Sequence, residues 1–434
     1  MKVLIVGSGG REHALAWKIS ASPMVKEVIC APGNGGTALV ARNVAVKATD
    51  IPGIVLLAKS EGVGLVVVGP EDPLCDGLVD SLEKAGILAF GPGASGARLE
   101  GSKLFAKELL DRHRIPTAAW RRFDRGSAAK SYLENCTIWP QVVKADGLAA
   151  GKGVFVCADA EDACDKVDLM MEDGAFGDAG RTLVIEEFMV GEEVSVHAVT
   201  DGKTLLILES VIDHKQVGEG DTGPNTGGMG VLSPAPALSS RVMQQVEQHV
   251  LLPTLHALRT DDIPFRGVLF VGLMITEAGP RVLEYNCRFG DPETQAIMRR
   301  MKSDLVPYLL ACANGKLEDM EAPDWHDDVC IGVVAASEGY PGPYEKGHRI
   351  SGLTDADSVD GVVTFHAGTR VEGSNTRTDG GRVLCVTALG KDKAAARRRA
   401  YDAYDRITWQ GKFCRRDIGE RHAGGNKLPT GASH

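Results

Sequence analysis

The sequence predicts an α/β protein that opens on a doubly wound parallel sheet, continues into a larger α+β unit and closes on a small α+β domain. Three observations carry this. Residues 1–101 alternate short apolar strands with helical patterns, as parallel sheets covered on both faces do. A glycine-rich loop at residues 144–153 lies between β-branched runs, and a short apolar strand at residues 282–286 carries polar residues at its end. Past residue 323, strands return with one late helix. At 434 residues the chain needs more than one core, because single cores stop growing at roughly 250–300 residues. The expected divisions are 1–101, 102–322 with a small lid at about 120–188, and 323–421, while the polar tail 422–434 lacks periodicity and is expected to be disordered.

Composition narrows the function classes. With 44% hydrophobic residues and 52 glycines the chain is globular and loop-rich. A net charge of -10 and pI near 5.6 argue against nucleic acid as a partner but allow a local basic pocket for a phosphorylated metabolite. The ten cysteines form no C-x-x-C pair and sit mostly in apolar runs, as at Cys30, Cys330 and Cys385, which fits a reduced, cytoplasmic protein. Met1-Lys2 leads straight into Val3–Val6, and no apolar run approaches a membrane span. No signal peptide and no membrane partner are therefore expected, and a monomeric state is expected because no long apolar surface stripe stands out.

In the first domain, strands are expected at 3–6, 27–30, 65–68 and 88–90, with a helix from about Arg11. The first strand-to-helix turn reads Gly7-Ser8-Gly9-Gly10-Arg11-Glu12-His13, where helix N-terminal amides attract anions. It departs from a dinucleotide fingerprint, because Glu12 stands in place of the third glycine and Ala31-Pro32-Gly33-Asn34 supplies no ribose-binding acid. A monophosphate or similar small anion, helped by Arg11 and by the loops 34–37 and 69–73, is the functional reading. A tight structural turn is the alternative.

Ser102 caps a helix from Lys103 to about His113, which Ile115-Pro116 stops. From there to Asp173 the pattern reads as small and β-rich. It contains Val142–Val154, whose glycines let amides approach phosphate oxygens while Lys144 and Lys152 add charge. The Walker A spacing fails, since Gly153 follows Lys152, and a hairpin with a flexible tip fits as well. The strand Val184–Val190 runs into the acidic Glu192-Glu193 and can offer backbone groups to an adenine with a carboxylate near the ribose.

Alternation puts Glu284 and Asn286 on one face of the strand 282–286, with Arg288 two residues on. Mg²⁺ takes oxygen ligands, often one or two carboxylates plus nucleotide phosphates. A phosphate cradle and a magnesium corner together point to ATP.

Four strings, in order, carry a resemblance: Val6–Trp17, Lys144–Val154, Asp213-His214-Lys215 with Asp221–Gly230, and Asn286–Gln295. From Met1 to about Arg421 the chain resembles the glycinamide ribonucleotide synthetase (phosphoribosylamine-glycine ligase) family of ATP-grasp enzymes. That resemblance implies an N-terminal domain that binds phosphoribosylamine, a central ATP-grasp fold, and ATP-dependent joining of glycine to 5-phosphoribosylamine through glycyl phosphate, with Mg²⁺ or Mn²⁺. It places Lys103, Lys144, Gly151, Lys152 and Gly153 at the ATP phosphates, Glu186, Glu187, Phe188 and Met189 along the adenine, and Glu193 at the ribose. Glu284 and Asn286 become metal ligands and Arg288 the group that meets the transferring phosphoryl. Asp213 and Lys215, with Asp221, Thr222, Pro224, Asn225 and Thr226, form the glycine and amine pocket. Gly9, Gly10, Arg11, Glu12, Asn34, Asp291 and Glu293 complete the substrate set.

One departure stands out. Many ATP-grasp members carry a further metal-binding carboxylate on the preceding strand, yet Val271-Gly272-Leu273-Met274-Ile275 is apolar. His214 reads as structural rather than as a general base, and Arg397-Arg398-Arg399 as a solvated helix face. The alternatives are another ATP-grasp ligase with a different carboxylate and amine, and a nucleotide-binding regulator without catalysis.

Overall fold

The structure, a computed structural model, describes residues 1–148 and 153–420. Its first sheet is five-stranded and parallel, in the order β3-β2-β1-β4-β5. The strands are β1 (Lys2–Gly7), β2 (Glu27–Pro32), β3 (Arg42–Asn43), β4 (Leu65–Val68) and β5 (Ala89–Phe90). Val3 to Val6 are fully buried, because helices cover both faces and every side chain of a central parallel strand needs apolar neighbours. Leu4 and Val6 join Ile54, Val66 and Leu78 on one side, while Val3 and Ile5 join Leu15, Ile19 and Val67 on the other. The loops after β1, β2 and β4 gather at the carboxyl edge, where the strand order reverses and open α/β sheets place ligands.

The next unit contains β6 (Trp120–Phe123), β7 (Gln141–Ala145), β8 (Val154–Cys157) and β9 (Leu183–Glu187), antiparallel in the order β6-β9-β7-β8. The β-rich expectation for 117–173 is corrected here by two helices, Gly126–Glu134 and Ala160–Val167. Their Ala129, Leu133, Ala163 and Val167 pack on Val143, Ala145, Leu183 and Ile185 of the sheet.

Strands β10 (Glu192–Thr200), β11 (Leu205–Ile207), β12 (Ile212–Asp213), β13 (Gln216–Gly218), β14 (Thr222–Asn225), β15 (Gly230–Ser233), β16 (Gly267–Thr276) and β17 (Gly279–Asn286) follow. The order β11-β10-β16-β17 makes an antiparallel sheet whose β16–β17 hairpin sets Gly272 opposite Glu284. The last part supplies β18 (Val329–Ser337), β19 (Val362–His366), β20 (Thr369–Glu372), β21 (Asn375–Thr378), β22 (Arg382–Gly390) and β23 (Lys412–Phe413). Its main sheet runs β12-β15-β18-β22-β19, with β23 also on β18. Two strands of the middle segment thus complete the C-terminal sheet, crossing the expected division at residue 322. The helix Lys393–Arg406 buries Ala396, Ala400, Ala403 and Tyr404 against it. Its basic run is not simply solvated: Arg397 pairs with Glu420 and Arg399 with Asp360 and the Leu389 carbonyl, leaving Arg398 exposed.

No helix among the described residues is long and apolar enough to cross a membrane. All ten cysteines are free thiols.

Candidate active site

The end of β17 brings Glu284, Asn286 and Arg288 together. Arg288 Nη2 donates to Asn286 Oδ1 at 3.0 Å, so the head group of residue 288 lies against the strand end. Burial pushes the Glu284 carboxyl up, but Lys215, Lys144, Lys103 and Arg288 outweigh it and hold the group below the ordinary range. It therefore stays ionised. Gly272, opposite on β16, leaves the space: a Cβ there would lie 3.3 Å from Glu284 Cγ.

These residues fit a hard divalent cation by donor type. Glu284 offers a carboxylate and Asn286 Oδ1 a second lone pair beside the one facing Arg288. Among the described residues no group of three or more His, Cys, Asp or Glu could hold a metal by itself. Phosphate oxygens and water would have to complete the shell, as Mg²⁺ commonly requires.

Lys103 and Lys144 also act on this corner. Ser102 accepts from Phe105 N as a helix cap and donates to Asp146 Oδ1 at 2.9 Å. That contact sets the helix Lys103–Arg112 against the glycine-rich loop. Lys103 Nζ donates to the Gly147 carbonyl at 3.1 Å, and burial pulls its pKa below the ordinary value, with Glu284 opposing and Lys144 adding to the shift. Lys144 Nζ lies 2.9 Å and Lys107 Nζ 3.0 Å from the same Glu186 Oε2. Lys144 also reaches the Leu283 carbonyl at 3.4 Å. The Glu186 side chain is thus committed inward, and its backbone position pairs with Trp120 on β6 and Val142 on β7. Glu187 pairs with Arg281 at 2.8 Å, Phe188 is half-buried, and Met189 packs with Ala118, Met274 and Leu283 in a small apolar wall. Gly151 and Lys152 lie outside the described residues, while the Gly153 carbonyl accepts from Ala145 N at 2.9 Å.

Four carboxylates surround Lys215. Asp213 Oδ2 is 3.1 Å from its Nζ, and Glu293, Glu193 and Glu284 all act on its charge. Burial pushes Asp213 up, Lys215 draws it back and Glu293 adds to the rise. Glu193 is raised by burial too, with Lys215 opposing. Ser195 Oγ donates to Glu293 at 3.4 Å. His214 is buried with its backbone and Nδ1 on the Gly230 carbonyl, in line with a structural role.

The loop 221–230 splits. Thr226 is buried and donates from N and Oγ1 to the Lys215 carbonyl, both at 2.8 Å. Asn225 pairs with Gln216 at the base of the β13–β14 hairpin, while Thr222 and Pro224 are exposed. Asp221 lies at the far end of that hairpin and bonds Arg415 Nη1 at 2.9 Å, facing the C-terminal segment rather than Lys215.

The N-terminal turn differs from its expectation in the donors it leaves. Glu12 Oε2 accepts from Gly9 N and Glu12 Oε1 from Arg11 Nε, both at 2.5 Å. Arg11 N donates to Asp291 Oδ2 at 3.2 Å and Arg11 Nη1 to the Phe289 carbonyl at 2.9 Å. Carboxylates therefore already engage donors that an anion was expected to take, and a Cβ on Gly10 would meet Gln295 Nε2 at 2.4 Å. Asn34 is similarly spent: Nδ2 serves Ser8, Gly9 and His366 carbonyls and Oδ1 takes the amides of Gly36 and Thr37. His366 N donates to His13 Nδ1 at 2.8 Å, joining the first and last domains. Arg382 Nη1 reaches the Asp291 carbonyl at 2.6 Å.

Sequence reasoning missed Lys107 and Glu100, and placed Glu71 only within the loop 69–73. Lys107 follows Lys103 by four residues, one face of one helix, and that spacing could have found it. Glu71 and Glu100 flank Arg288 at 3.0 and 2.7 Å, and no local signal marks them.

Comparison with known proteins agrees with this layout. The chain matches the family models for the phosphoribosylglycinamide synthetase N domain over residues 1–100, its ATP-grasp (A) domain over 101–294 and its C domain over 330–421. It is 52% identical over 424 residues to a phosphoribosylamine–glycine ligase of Allochromatium vinosum, covering 97% of this chain and 98% of that one. A phosphoribosylamine–glycine ligase of Rhodopirellula baltica is 50% identical over 425 residues, covering 96% and 97%. A solved phosphoribosylamine–glycine ligase of Thermotoga maritima superposes with a TM-score of 0.83 at 32% identity, over 96% of this chain and all of that one.

Proposed function

The chain belongs to the phosphoribosylglycinamide synthetase family, carbon–nitrogen ligases of purine biosynthesis that join glycine to 5-phosphoribosylamine with ATP, and we propose that it does so through glycyl phosphate. A glycine carboxylate oxygen attacks the γ-phosphorus and ADP leaves. The amine nitrogen of phosphoribosylamine then attacks the acyl carbon, phosphate departs with the bonding pair, and the nitrogen gives up a proton. Neither step needs a nucleophilic side chain, so the protein's work is positioning and charge neutralisation.

The observation that carries this reading is the ionised Glu284 amid Lys215, Lys144, Lys103 and Arg288, a ring of charge suited to phosphates in transfer. Lys103 and Lys144, with the loop that includes Gly151, Lys152 and Gly153, hold the ATP phosphates. The segment from Glu186 to Met189 meets the adenine through the backbone beyond the end of β9 and the Met189 wall, and Glu193 meets the ribose. Mg²⁺ or Mn²⁺, held by Glu284 and Asn286, would offset phosphate charge when bound. Arg288 donates to the transferring phosphoryl. Asp213, Lys215 and Glu293 bracket glycine and the incoming amine, with Thr226 fixing the Lys215 backbone. Gly9, Gly10, Arg11, Glu12, Asn34 and Asp291 border the ribosylamine through the turn after β1. The monomeric state and cytoplasmic site are proposals from composition alone, open to light scattering and cell fractionation.

Glycine labelled with oxygen-18 in its carboxylate tests the intermediate. Acyl phosphate chemistry delivers one label to inorganic phosphate, and phosphate free of label in a complete turnover excludes it.

A further inference from the structure

We propose that Glu100, together with Glu71, is a positioning residue that fixes the Arg288 guanidinium so that its Nη1 edge alone faces the transferring phosphoryl group. The inference rests on the role assigned to Arg288 above and adds how that role is achieved. Glu100 comes from the helix Ala94–Gly101, which follows the last strand of the first sheet. Its Oε2 accepts from the Cys287 backbone amide at 2.8 Å and from Cys287 Sγ at 3.2 Å. Its Oε1 lies 2.7 Å from Arg288 Nη2, with the Glu100 side chain only 7% exposed. One carboxylate therefore pins both the chain just before Arg288 and the head group of Arg288 itself.

Glu71 opens the short helix Glu71–Cys75 after β4 and takes the Nε hydrogen at 3.0 Å. Burial raises its pKa, yet the charges of Arg288 and Arg11 hold it down to about 2, so this carboxylate is ionised at neutral pH. Asn286 takes a hydrogen from Nη2. A guanidinium has five N–H donors in a fixed plane. With Nε and Nη2 engaged, Nη1 keeps a single contact, the Phe289 carbonyl at 3.4 Å, and has a donor to spare among the described residues. Two carboxylates from different parts of the first domain thus determine which edge of the arginine is offered, and they link the loop after β4 to the phosphoryl-transfer corner.

The test is a double-mutant cycle on the full chain, with kcat and KM for ATP measured for E100Q, R288K and the double variant. Positioning through Arg288 predicts that E100Q lowers kcat by about ten- to hundredfold, leaves KM for ATP within about twofold, and costs nothing further once residue 288 is lysine. A wild-type or raised kcat for E100Q, or losses that multiply in the double variant, overturns the positioning role. A wild-type rate for R288K overturns instead the role of Arg288 itself, so the two failures are distinct. If E100Q does not fold, E71Q, whose side chain is 27% exposed, carries the same cycle with the same reading.

Discussion

Replacing Glu186 by Gln removes the carboxylate that ties the helix Lys103–Arg112 to the lid sheet. Lys107 and Lys144 both reach its Oε2, at 3.0 and 2.9 Å, and none of the three side chains is more than 8% exposed. Removing one partner of a buried ion pair costs about 3–5 kcal/mol, because the remaining charge stays buried without compensation. Here two cations remain. Burial brings Lys107 down from its ordinary 10.5 to about 8, against the pull of Glu186 and with help from Lys144. At ~1.4 kcal/mol per pH unit that is a cost of about 3 kcal/mol below pH 8. The sign follows from proton binding: between 8 and 10.5 the unfolded chain holds the proton longer, so stability rises with pH across that window. Without Glu186, Lys107 gives up its proton at lower pH and the rising limb extends below 8. Urea unfolding at pH 7 should therefore show a loss of about 3–5 kcal/mol, and the deficit should narrow at pH 10, where Lys107 is neutral in both proteins. A wild-type midpoint at pH 7, or a deficit unchanged at pH 10, refutes the reasoning.

Three further outcomes are expected. Glu284→Ala should lower turnover by at least about a hundredfold with unchanged far-UV circular dichroism, and near-normal turnover would sink the metal corner. Gly228→Ala should lose both stability and activity, since Gly228 has φ +113° and a Cβ there would lie 2.4 Å from Asp213 Oδ1; a cost of about 1–3 kcal/mol is expected from such strain, and a fully active variant would contradict it. Acid should destabilise the fold through His13, His197 and His366, which burial holds down to about 3, 3 and 4. The Arg288 and Lys215 charges add at His197, and His366 adds at His13. The unfolded chain binds these protons first as pH falls below 6.5, so stability should drop by several kcal/mol between pH 6.5 and 4, and equal urea midpoints at pH 7 and pH 5 would argue against neutral buried imidazoles.

The parallel sheet was legible because Val3–Val6 and Leu65–Val68 are buried on both faces and so read as unbroken apolar runs. The strand 282–286 was legible because period-two alternation survives in Glu284 and Asn286. The lid helices Gly126–Glu134 and Ala160–Val167 were not, being short segments whose helicity depends on packing against Val143 and Leu183. Pairing of β15 with β18 joins residues about a hundred apart in sequence, and nothing local specifies it. At the site, Glu284, Lys144 and Arg288 were singled out by residue type, while Glu71 was read only as part of the loop 69–73 and Glu100 not at all, because the fold alone brings both to Arg288. The turn at Gly9 invited an anion by its amides, and the answer lay within the motif: Glu12 supplies the carboxylate itself.

The most direct test of the account is ADP release by the purified chain with ATP, Mg²⁺, glycine and freshly generated phosphoribosylamine, each omitted in turn. Release that requires both glycine and the ribosylamine is the predicted result. Release that ignores glycine but responds to another carboxylate would contradict it.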